Sequence, residues 1–127
     1  MDDLVEFLRA RLDEDERIAR EAAPGPWEQD PERFDFLVSA EHGYVVDCSG
    51  ARAAAENAAH VAAHDPARVL RDSEAKRELL SRYEAMEVDV LVMTGADAIL
   101  AEYQRVILPN LALPYVDHPG YREEWRP

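Results

Sequence analysis

Leu4, Leu8 and Leu12 recur every fourth residue, and Val5, Ile18, Ala19 and Ala22 widen the same stripe between charged positions. That period puts the apolar side chains on one face of an amphipathic helix, predicted over about Asp3 to Ala22. Asp2, Asp3 and Glu6 lie where the helix dipole favours acids, and Arg17 and Arg20 lie toward the opposite end. Pro24, Gly25 and Pro26 then stop the helix.

The period changes to two between Phe34 and Cys48. Phe34, Phe36, Val38 and Ala40 share one face, Asp35, Leu37 and Ser39 the other, and Tyr44, Val46 and Cys48 alternate with Val45 and Asp47. The tetrapeptide "AEHG" joins the two runs, with Gly43 able to take the positive φ of a short loop, so the segment reads as an antiparallel hairpin over 34–48. Trp27 to Asp30 reads as an irregular third strand at its edge. A two-stranded ribbon is marginal alone, so its apolar face is expected to lie on helices.

The helical period returns near Ala51. Ala54, Ala58, Val61 and Ala62 define a helix over about 51–64, and Asp65-Pro66 starts the next: Asp accepts from free first-turn amides, and Pro lacks a donor that has no partner there. Val69, Ser73, Lys76, Leu80, Tyr83, Glu87 and Val90 follow a heptad-like spacing, with Leu70, Leu79 and Met86 beside them, which predicts a helix over about 66–86. Residues 87–95 carry both helix and strand signals, because "VDVLVMT" is β-branched; Ile99, Leu100, Tyr103, Val106 and Ile107 favour a helix over about 90–108, broken before Pro109. The residues from Leu111 to Pro127 contain Pro114, Pro119 and Pro127 and read as an extended arm anchored by aromatics. The expected architecture is a single α+β domain with an N-terminal helix, a β-hairpin, two to three further helices and the arm.

The 127 residues carry 27 acids and 14 bases, a formal charge of −13. Segments 1–22, 23–50 and 87–127 carry −4, −5 and −4, whereas 51–86 is neutral. This balance argues against direct binding of nucleic acid or anionic lipid, both of which need Lys and Arg to replace counterions. As an acidic mimic of nucleic acid the chain is a poor match: a helix about 30 Å long with four net charges faces a duplex with about eighteen over that length. Lys76 is the single lysine and alanine is abundant, a usage that points to a GC-rich bacterial genome. Cys48 is alone, which excludes an intramolecular disulfide, and the acidic start and lack of a long apolar run point to a cytoplasmic protein with no membrane segment.

Chemistry is sparse. Glu56, His60 and His64 fall four apart on one helical stripe, where two imidazoles can share a metal and Glu56 can add a third ligand; the alternative is a pair of histidines packed at a helix corner. No cofactor is called for. The run Asp13-Glu14-Asp15-Glu16 fans around its helix at about 100° per residue and cannot converge on one cation. The five glycines form no phosphate-binding pattern and no serine sits in a nucleophile elbow, so the sequence reads as a non-enzyme. Trp27, Tyr115, Tyr121 and Trp125 are candidates for an interface, the alternative being that they pin the chain to itself. The function expected from the residues is a small acidic protein-interaction or regulatory module, with an unidentified protein partner and scope for a homodimer. The rival is a metal- or small-molecule-binding protein using His60 and His64.

The stretches "LVEFLRARLDEDERIAREAAPGPW", "AAHVAAHDPARVLRDSEAKR" and "LALPYVDHPGYREEWRP" cover well over half the chain and are similar to a family of short actinobacterial and phage-associated proteins of unknown function. A looser likeness, "PGPW" followed across a hairpin by "NAxxIAAxP", links Glu56-Asn57-Ala58 and Val61-Ala62-Ala63 to small phage proteins. The resemblance implies a cytoplasmic setting and association with mobile elements. Relatives carry cysteines before the "LALPY" segment and this chain has none there, so no shared metal or redox role is implied.

Overall fold

A computed structural model describes residues 1–30, 32, 34–89 and 95–127. Helix α1 (Asp2–Glu21) is followed by strands β1 (Glu28–Asp30), β2 (Phe34–Ala40) and β3 (Gly43–Asp47), then by α2 (Ala54–Ala63) and α3 (Pro66–Asp89). A last helical stretch comprises α4 (Ala96–Glu102), a π-helical turn (Tyr103–Ile107) and α5 (Leu108–Ala112). The class is α+β, as the change of period indicates. The predicted start of the fourth helix at about Val90, and the helix-or-strand choice for 87–95, fall largely on 90–94, outside the described residues.

The chain forms two compact units, Met1–Glu14 with Glu74–Pro127, and Asp15–Ser73, with the divisions falling inside α1 and α3. In the first unit the predicted stripe is the core: Leu4, Val5, Leu8 and Leu12 of α1 pack with Leu80 and Tyr83 of α3, Tyr103, Leu108, Ala112 and Trp125. Burying a leucine-sized side chain is worth roughly 1.5–3 kcal/mol, so this cluster is the main stabilising term of the unit. Ion pairs of Arg9 with Glu84 and of Asp13 with Arg77 join the polar edges of α1 and α3, each worth little in water. The Tyr83 hydroxyl donates to Glu87 Oε1 at 2.7 Å and accepts from Gln104 Nε2 at 3.0 Å. Burial, opposed by the Gln104 bond and aided by Glu87, pushes its pKa above the usual 10.

Pro109 does not end the last helix. The Arg105 carbonyl would normally accept from the amide of residue 109, which proline lacks, and the chain instead inserts one residue: the Leu108 N–H donates to the Tyr103 carbonyl, five residues back. The Asn110 side chain then donates to the Val106 carbonyl at 2.7 Å. Beyond α5 the tail is turn-rich, not uniformly extended, with short 3₁₀ turns at Leu113–Tyr115 and Glu123–Trp125.

In the second unit the strands are ordered β1-β2-β3, all antiparallel. The short β1 carries a register shift between Gln29 and Asp30, the irregular edge strand that the sequence suggests. Val38 pairs with Val46 but Ser39 pairs with Tyr44, so Val45 is an extra residue on β3. This bulge breaks the predicted alternation and leaves both Val45 and Val46 half-buried. The ribbon lies on α2, with Val38 and Ala58 fully buried and Gln29 Nε2 donating to the Ala55 carbonyl at 2.8 Å. At the end of β3, bonds from the Ser49 hydroxyl and amide hold the Asp47 carboxyl below the usual range. Helix α2 begins three residues later than the period predicts because Ala53 adopts a left-handed conformation, φ 56° and ψ 47°.

Candidate functional site

Asp65 organises the second unit. Its Oδ1 accepts from the Arg68 amide at 2.9 Å, the N-cap bond expected of Asp-Pro, and its Oδ2 accepts from the Trp27 amide at 3.3 Å. Gly25 passes so close that a Cβ there would lie 2.7 Å from Asp65 Oδ2. The glycine of "PGPW" is therefore required by close approach. The indole of Trp27 donates back to the Ala23 carbonyl at 2.8 Å, and Arg68 Nη1 donates to the Ala63 carbonyl at the end of α2.

These contacts bring the C-terminal end of α1 beside the start of α3 and open a cleft of about 360 Å³ between them. Ile18, Ala19 and Ala22 of α1 and Pro66 and Val69 of α3 line it, with Trp27 and His64 at one end. Asp15 and Asp72, the lining residues farthest along each helix from Trp27, stand at the other. Ile18 remains 53% exposed beside the cleft. This site is not legible in the sequence, because it is assembled from three separated segments. The available signal was spacing: Asp15, Ile18, Ala19 and Ala22 fall on one helical face, as do Pro66, Val69 and Asp72.

His60 and His64 come together on α2 with ring centroids 4.3 Å apart, and Glu56 lies on the exposed side of the same helix. The His64 Nδ1 is 2.7 Å from the His60 carbonyl, which can only accept, so Nδ1 carries the proton and a neutral ring offers Nε2. Among the described residues no group of three or more His, Cys, Asp or Glu is arranged to hold a metal ion. The acidic run diverges: Asp13 pairs with Arg77, Glu16 with Arg20, and Asp15 lines the cleft.

Of the four aromatic candidates, Tyr115, Tyr121 and Trp125 gather around Phe7, at centroid distances of 6.3, 6.2 and 5.1 Å. His118 adds an edge-on ring at 5.5 Å and Arg122 covers the Trp125 indole. Trp27 belongs to the other unit.

No helix among the described residues is long and apolar enough to cross a membrane. No curated protein and no solved structure matches the chain. One family model does, over residues 1–127, and the protein belongs to DUF6221, a family of unknown function.

Proposed function

We propose that this protein is a small acidic interaction module that receives a segment of another protein in the cleft beside Trp27. The observation that carries this reading is the cleft's composition: an apolar floor, an indole at one end and charged side chains only at its ends. A space of about 360 Å³ is at the small end of ligand sites and suits one or two side chains better than a large cofactor. Large aromatic anchors in such places dominate many protein interfaces. The setting that goes with this reading is the cytoplasm, and the resemblance to phage-associated proteins supports a partner encoded on a mobile element. Solution molar mass tests the alternative occupant, a second copy of the chain.

Selection of displayed peptides against the full chain is the direct test, with Ala22→Arg as a variant that fills the cleft. The expected result is a set of peptides whose binding is lost in Ala22→Arg. A selection that returns only peptides bound equally by the variant, or none, overturns the reading.

A second reading, a metal site on His60 and His64, is favoured by their 4.3 Å ring separation. It predicts that Zn²⁺ titration of the untagged chain shows affinity that disappears in His60→Ala. Two imidazoles alone make a weak site, since zinc centres take three or four protein ligands.

A further inference from the structure

We infer that the segment received in the cleft is an amphipathic helix with an aliphatic stripe and a basic outer face. This rests on the interaction-module reading above and names the form and chemistry of the partner. The cleft runs along two helices: α1 lines it with Ile18, Ala19 and Ala22, and α3 with Pro66 and Val69. The lined face of α1 from Asp15 to Ala22 covers about two turns, which matches two successive apolar side chains of a guest helix at i and i+3 or i+4. The small side chains of Ala19 and Ala22 beside the half-exposed Ile18 leave a groove next to a ridge, the kind of surface into which another helix packs.

The backbone decides between a helix and an extended peptide. Among the described residues that line the cleft none belongs to a strand, and the amides of Trp27 and His64 already donate to Asp65 and to the Val61 carbonyl. An extended guest would lay its own N–H and C=O groups on this floor without partners, whereas a helix pairs them internally. The Trp27 indole N–H is taken by the Ala23 carbonyl, so its ring offers a guest apolar surface.

Charge sets the outer face. Residues 15–73, the second unit, carry twelve acids against six bases, a net −6. Asp15 and Asp72 are engaged within the chain, so the attraction comes from the field of the whole unit and not from a particular carboxylate. That field draws in a helix edged with Lys or Arg and disfavours a second copy of this chain, which brings its own −13.

The test uses the full chain and labelled peptides of about five helical turns, read by fluorescence anisotropy and far-UV circular dichroism. The reference peptide carries leucines at helical spacing and lysines elsewhere; one comparison spreads the same leucines around the helix, one has a central proline, and one has Glu for Lys. Expected are binding with a gain of helix for the reference, weakening as salt is raised, and losses of at least about tenfold for each comparison. Ile18→Ser, at an exposed position outside the core, is expected to weaken binding about fivefold, and Ala22→Arg to abolish it. Equal binding of the proline or spread-leucine peptide overturns the inference, as does tighter binding of the Glu peptide or a reference affinity unchanged in both variants. A dimer dissolved by Ile18→Ser puts a second copy in the cleft and also overturns it. If display returns peptides that need an open cleft but bind as extended chains, the module reading stands and this inference falls; if nothing depends on the cleft, both fall.

Discussion

Ala53 and Tyr83 show what single positions contribute. An alanine in the left-handed region sets its Cβ against the following carbonyl at a cost of about 1–2 kcal/mol, part of which glycine gives back in chain entropy. Ala53→Gly is therefore expected to raise stability by about 0.5–1 kcal/mol, measured as a higher urea midpoint with unchanged slope. Nothing in an alanine-rich run announces this conformation, so the period alone places the start of α2 three residues early, whereas Asp65-Pro66 is legible because both residues have a defined physical role at a helix start. Tyr83 gives a pH dependence. Its folded pKa is raised, so the neutral hydroxyl is the form the fold keeps; its contribution is fully present below the unfolded value of 10 and is lost as pH rises through the higher folded value. Stability should fall above about pH 10, and Tyr83→Phe should flatten that limb while costing about 1 kcal/mol at neutral pH through the two lost hydrogen bonds, followed by urea unfolding across pH.

At the scale of elements, periodicity was enough for the helices and the hairpin, because each buries one face along its length. It did not reveal the two places where a single residue is added. The bulge at Val45 depends on pairing with a neighbouring strand, and the π-helical turn depends on how the chain accommodates Pro109. Reading that proline as a terminus was reasonable for an α-helix, yet one inserted residue and the Asn110 side chain re-pair the carbonyls. Helix α3 supplies the next prediction. Asp65→Ala removes the cap on Arg68 and the acceptor for Trp27, with an expected loss of about 1–2 kcal/mol and a shift in tryptophan emission as the indole's backbone support is released.

For the molecule as a whole, the fold was legible where apolar stripes repeat, and the cleft was not, because 15–22, Trp27 and 66–72 become neighbours only after folding. The aromatic residues of the tail stand out in the sequence, but their burial cannot be read from composition. Trp125 is 8% exposed within the core of the first unit, so Trp125→Ala should cost about 3–5 kcal/mol, and removal of 115–127 should abolish a cooperative melt measured by calorimetry. One carboxylate also has an evolutionary corollary. Because Asp65 simultaneously holds the start of a helix, fixes Trp27 and leaves room only for hydrogen at position 25, these sites cannot drift independently: among DUF6221 members, replacement of Asp65 should coincide with replacement of the glycine and tryptophan of the "PGPW" segment, a correlated substitution that aligned members would display.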